Sequence, residues 1–155
     1  MNDRWSLALL GCCAALVLAF GVPGVSAADD EAKTQDLTFD DIKFDIKKDA
    51  PFKREMLTDK IERLSGSPIK IRGYILPSFQ QKGIKQFVLV RDNMECCFGP
   101  GAALYDCILV EMAPGKSASF TVRPVSVEGR FEISEFIGPD GKHLAIYRMV
   151  GEEVK

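Results

Sequence analysis

The chain has 155 residues, of which 46% are hydrophobic and 27% charged, and its formal net charge is -2. That composition suits one globular domain with a targeting segment. It lacks the basic face of a nucleic-acid binder, and its mixed lysines, arginines and carboxylates read as solvated surface.

Residues 1–28 read as a secretory signal peptide. Arg4 gives a weak positive start, partly offset by Asp3, and residues 5–22 are almost unbroken apolar sequence. Pro23 and Gly24 break the helix, and Val25-Ser26-Ala27 offers small residues for cleavage before Ala28 or Asp29. Two alternatives stay open. The apolar run approaches the roughly 17–25 residues of a transmembrane helix, so an uncleaved N-terminal membrane anchor is the rival reading. Leu9-Leu10-Gly11-Cys12 resembles a lipobox, although Leu10 fits it poorly and cleavage there would leave an apolar stretch on the mature chain. Cys12 and Cys13 are small apolar residues of the signal.

Export would place the rest of the chain where disulfides persist, in the periplasm or cell envelope. Once the signal is cleaved, no stable membrane insertion of the mature chain is expected.

Residues 29–36 are charged and aperiodic and read as a flexible lead-in to a single domain, 37–155. Ile42, Phe44 and Ile46 alternate with Lys43, Asp45 and Lys47, the period of a half-buried strand. Thr38-Phe39-Asp40-Asp41 can instead cap a helical turn. Either way the segment is expected outside the core. A helix is predicted over 53–64, with Leu57, Ile61 and Leu64 on one stripe and Ser65-Gly66-Ser67-Pro68 ending it.

Strands follow. One covers 69–76, where Gly73 suggests a bulge or sharp bend. Residues 86–90 are apolar on both faces and predict a covered central strand. Residues 104–112 form another, with Ile108, Val110 and Met112 on one face and Cys107, Leu109 and Glu111 on the other. Residues 120–133 read as one long bent strand or two short ones, with Pro124 and Gly129 as bend points. Gly138-Pro139-Asp140-Gly141 is a turn. Residues 143–150 close the chain, with Leu144, Ile146 and Val150 expected on one face. Five or six short strands with one short helix give a mainly β fold. An OB-like barrel is expected, and a small β-sandwich is the alternative.

Chemistry concentrates in Glu95-Cys96-Cys97-Phe98-Gly99-Pro100-Gly101. Cys96, Cys97 and Cys107 are the cysteines left after export, an odd number. Three readings stay open. The first is structural: Cys96 or Cys97 bridges to Cys107 and closes the loop. The second is a soft-metal site for zinc or copper(I), with Cys96 and Cys97 as thiolates and Glu95, Cys107 and His143 as possible helpers; Met94 is a further donor. The third is thiol redox, through a strained vicinal disulfide or a thiolate held by the N–H groups of the Phe98-Gly99-Pro100-Gly101 corner. No hydrolase arrangement or phosphate-binding glycine loop supports an enzyme, and none is expected.

Gly73-Tyr74-Ile75-Leu76-Pro77, Phe87-Val88-Leu89-Val90 and Glu95-Cys96-Cys97-Phe98-Gly99, in that order, resemble an exported bacterial family, domain of unknown function 3299. The resemblance spans about residues 37–150, and the adjacent cysteines before Phe-Gly are its most specific mark. It implies an exported domain encoded beside ABC permeases of the MacB/FtsX type, with some members in zinc-responsive gene sets. That tilts the expected function toward metal handling or envelope transport, as an accessory protein of the cell envelope. The rival is an envelope interaction module with a structural disulfide.

Overall fold

The computed structural model describes residues 33–47, 50–76, 79–92, 103–139 and 141–155, all within the compact unit Glu31–Lys155. Six strands make one mixed sheet: β1 (Gln35–Leu37), β2 (Pro68–Ile75), β3 (Gln86–Val90), β4 (Cys107–Met112), β5 (Val125–Ile137) and β6 (His143–Val154). Their order is β1-β2-β3-β4-β6-β5, and β5 also pairs with β2. Five strands, β2 to β6, therefore close into a ring of hydrogen-bonded neighbours, with β1 added alongside β2. The β1–β2 and β4–β6 pairs are parallel and the rest antiparallel. The fold is mainly β, as expected, with one short helix, α1 (Asp59–Leu64), and a few 3-10 turns. It is a single sheet rather than the two sheets of a sandwich. Among the described residues no helix is long and apolar enough to cross a membrane.

Glycines stand where strands approach closely. β2 pairs with β5 from Pro68 to Gly73, then with β3 at Tyr74 and Ile75. At that change of partner a Cβ on Gly73 would lie 2.6 Å from the Val90 carbonyl oxygen. Gly129 marks a register shift between β5 and β6, and a Cβ there would lie 2.1 Å from the Val150 oxygen. Gly129 thus stands at an irregularity, as expected from the sequence, whereas Gly73 is required by a close approach of backbone. The turn joining β5 to β6 is also as expected: Gly141 N–H donates to Gly138 O at 3.0 Å, with Gly141 at a φ of 78°.

Two sequence expectations are corrected. Phe39, Ile42 and Phe44 are buried in the core, not outside it. Thr38 and Asp41 explain why this segment is a 3-10 turn (Phe39–Ile42) and not a strand. The Asp41 carboxylate accepts from the Thr38 N–H at 2.9 Å and its hydroxyl at 2.8 Å, so the backbone is satisfied locally. The buried Tyr147 hydroxyl then donates to Ile42 O at 2.7 Å, fixing the segment to β6. Second, the helix expected over 53–64 divides. A 3-10 turn (Arg54–Met56) is followed by α1, whose cap Thr58 accepts from the Ile61 N–H. Leu144, Ile146 and Val150 share one face of β6, as expected, but Leu144 is exposed while Ile146 is buried, and the other face carries the buried Ala145, Tyr147 and Met149. Gln35 and Asp36, at the end of the expected lead-in, also join β1.

Two substitutions test this closure. Gly129→Ala would drive a methyl into the Val150 carbonyl and should lower unfolding free energy by about 1–3 kcal/mol. Tyr147→Phe leaves the Ile42 carbonyl without its buried donor and should cost about 1–3 kcal/mol. Urea denaturation reads both, and midpoints equal to the parent's would refute these contacts.

Candidate functional site

The β3–β4 connection leaves β3 after Val90 and returns at Cys107, which stand opposite each other in the register. Glu95, Cys96, Cys97, Phe98, Gly99, Pro100 and Gly101, with Met94, fall on this connection and lie outside the described residues. Its two stems are described. Arg91 N–H donates to Asp106 O at 3.1 Å, extending the β3–β4 ladder beyond the strands. The turn Leu104–Asp106 brings Asp106 inward, where its side chain is 8% exposed.

A buried carboxylate needs a partner, because taking its charge out of water is costly. Arg91 supplies one: its Nε stands 3.1 Å from Asp106 Oδ1. The same guanidinium also reaches the exposed Asp40 carboxylate on the Phe39–Ile42 turn. One arginine therefore joins both stems of the connection to the N-terminal segment. Next to Asp40, Asp41 accepts from the Lys60 ammonium at 2.8 Å. Lys60 first, then the Thr38 N–H and hydroxyl, pull the Asp41 pKa from 3.8 to about 2.

Aromatic rings line the same end. Tyr105 on the returning stem meets Phe44 edge-on at 5.5 Å, Phe44 meets Phe52 at 5.8 Å, and Phe52 meets His143 at 5.5 Å. Lys43 lies 5.7 Å over the Tyr105 ring.

Of the residues singled out from the sequence, Cys107 and His143 are described. Cys107 is half-buried and opens β4 at the mouth of the connection. His143 opens β6 across from Ile137, ends the aromatic row, and has Nε2 2.7 Å from Glu135 Oε2. From the parallel register of Leu109 with Arg148, Cys107 is level with Ile146, and His143 lies about 10 Å further along β6. Among the described residues no three His, Cys, Asp or Glu side chains gather to hold a metal ion. Cys107 is thus the one expected ligand that the described structure brings to the connection carrying Cys96 and Cys97.

Asp40, Arg91 and Asp106 were not singled out from the sequence. An aspartate just before a strand reads as an ordinary turn residue, and Arg91-Asp92 reads as solvated loop. For Arg91 and Asp106 the one signal was proximity in sequence to the cysteines; Asp40 had none.

A family model described as "Protein of unknown function (DUF3299)" matches residues 23–155. The fold is similar to the crystal structure of a DUF3299 family protein from Pseudomonas aeruginosa PAO1. The TM-score is 0.56 at 20% identity, covering 79% of this chain and 95% of that one. No curated protein matches the sequence.

Removing Arg91 takes a cation from the buried Asp106 carboxylate. Arg91→Met should therefore lower unfolding free energy by about 1.5–3 kcal/mol, and a midpoint in urea equal to the parent's would refute the clamp. The depressed Asp41 pKa contributes stability above 3.8 that is lost as pH falls toward about 2. With a third of the side chain exposed, that contribution is about 1 kcal/mol or less. Thermal midpoints of Asp41→Asn should lack this acid-side decline, and an unchanged pH profile would contradict the assignment.

Proposed function

The chain belongs to the DUF3299 family, and from that premise we propose that it is an exported, non-catalytic accessory binding protein of the cell envelope. Its working end is the β3–β4 connection. Cys96 and Cys97 grip a soft metal ion, zinc or copper(I), with Cys107 as third thiolate and Glu95 as an oxygen donor. The protein serves a MacB/FtsX-type ABC permease, the partner class that the family resemblance suggests.

The observation that carries this reading is the register of Val90 with Cys107. It puts the third thiol at the point where the connection carrying the other two closes. A thiolate donor on a strand is held more firmly than one on a loop, which favours a preorganised site. Arg91, clamped between Asp106 and Asp40, secures both stems of the connection. His143 is left out of the ligand set because Glu135 and Phe52 already engage it at the other end of the aromatic row.

The half-buried position of Cys107 also favours a second reading, a non-catalytic interaction module in which Cys107 bridges to Cys96 or Cys97. Mass spectrometry of the exported chain, purified without chelator, separates the two. The metal reading expects a bound zinc or copper ion under native conditions. The ion should be lost from the Cys96→Ser, Cys97→Ser double variant while the thermal midpoint of the ion-free protein is kept. A chain lighter by about two hydrogens, with a mapped link to Cys107 and no ion, overturns it in favour of the bridge. In that case the same variant should lose about 2–5 kcal/mol of stability. A link between Cys96 and Cys97 themselves would instead indicate redox chemistry, and three free thiols with no ion would overturn all of these readings.

A further inference from the structure

The end of the β3–β4 hairpin away from the cysteines has a different surface chemistry. The register sets the two ends apart: Val90 faces Cys107 at one, and Gln86 faces Glu111 near the other. Past Gln86, two connections meet, residues 79–85 arriving from β2 and 113–124 leading to β5. They are tied together by backbone bonds. Ile84 and Ala118 exchange N–H to oxygen bonds of 3.0 and 2.9 Å, and Phe120 N–H donates to Gln81 O at 3.0 Å. The Lys85 ammonium donates to Lys116 O. Ile84 and Ala118 are themselves buried, so this tip is anchored on the core.

On the tip, two large apolar side chains stand in solvent. Phe79 is fully exposed and Val122 is 76% exposed. In the same two segments Lys82, Lys85, Lys116 and Arg123 are all exposed. Neither segment contains an aspartate or glutamate. Among the described residues these four cations take part in no ion pair, a state they share with Lys43, Lys53, Arg63 and Arg72; what sets the tip apart is that its two segments hold cations and no carboxylate.

Exposed apolar side chains on segments that carry cations and no carboxylate fit a membrane interface. Apolar groups enter the boundary between headgroups and acyl chains, and cations meet headgroup phosphates. A protein partner would call for a contiguous, packed patch at the centre of an interface. Two separate protrusions suit a fluid surface better. We propose that this tip docks the domain on a bilayer surface carrying anionic headgroups. Docked this way, the mouth of the cysteine connection stands about 15 Å further from the membrane, the length of the five residues of β3. This inference does not depend on metal binding.

Vesicle co-sedimentation tests it. Residues 31–155 contain the whole described core and are used as a separate chain, so that the apolar N-terminal residues do not contribute. The probes are vesicles of phosphatidylcholine alone and of phosphatidylcholine mixed with phosphatidylglycerol. Binding is expected to the mixed vesicles only, and to fall as salt is raised. Each cation near such a surface contributes about fivefold to partitioning. A Lys82→Gln, Lys116→Gln, Arg123→Gln variant should therefore bind roughly a hundredfold more weakly. Phe79→Ser with Val122→Ser should also lose binding, by tenfold or more, with an unchanged thermal midpoint. Equal binding to both vesicle types, binding to neither, or variants that bind like the parent would each overturn the proposal. In the case of no vesicle binding, the tip would be left as a face for an acidic protein.

Discussion

At Gly73 the backbone of β2 runs so near the Val90 carbonyl that no side chain fits between them. This close approach lies where the β2–β5 pairing ends and the β2–β3 pairing begins. Residues up to Gly73 follow β5, and those after it follow β3. Without the additional β2–β5 pairing the strands would form an open sheet with two bare edges, a liability that natural β proteins avoid. With it, β2 to β6 close on themselves, and Ile69, Ile71, Leu89, Val110, Val127 and Phe131 are all buried. The same Val90 also pairs with Cys107. The residue that lies against Gly73 therefore also marks where the β3–β4 connection begins.

That connection is held by charge at its base. Burying Asp106 carries a desolvation cost that only a well-placed cation offsets. Arg91 meets this need from the opposite stem and reaches Asp40 as well. The N-terminal turn is in turn held to β6 by the Tyr147 hydroxyl and to α1 by the Asp41–Lys60 pair. Three parts of the chain distant in sequence thus share one fastening, next to Cys107 in the sequence. The opposite end of the hairpin is fastened by backbone bonds between loops and leaves its cations unpaired, so the two ends offer different chemistry to a partner.

Where neighbours in the sequence determine the outcome, the sequence could be read directly. β3 was legible because apolar residues on both faces, Phe87 to Val90, require cover on both sides. Gly73 and Gly129 stood out because a glycine inside a strand marks a bulge, a bend or a close approach of backbone. Thr38 to Asp41 carried two signals, a cap and an alternating strand, and the local hydrogen bonds of Asp41 decided for the cap. The burial of Tyr147 on β6 was missed because Leu144 and Val150 look more apolar. The tyrosine is buried only because its hydroxyl finds the Ile42 carbonyl, more than a hundred positions earlier. The Arg91–Asp106 pair is of the same kind: common residues whose roles arise only when the fold joins two stems. The cysteine cluster was legible as chemistry, since three thiols within a short span are unusual. Which of them the strands bring together was not, apart from the place of Cys107 beside Val90.

The ring also bears on when this chain can fold. β6 is the latest strand in the sequence, yet it lies between β4 and β5 and joins them. Until residues beyond Val150 have left the ribosome, β4 lacks its parallel neighbour and β5 lacks its longest pairing. Partial chains therefore have no closed state to fall into, and pairings between such distant segments form slowly once they are available. A polypeptide with this connectivity cannot close its ring until β6 is present to join β4 to β5.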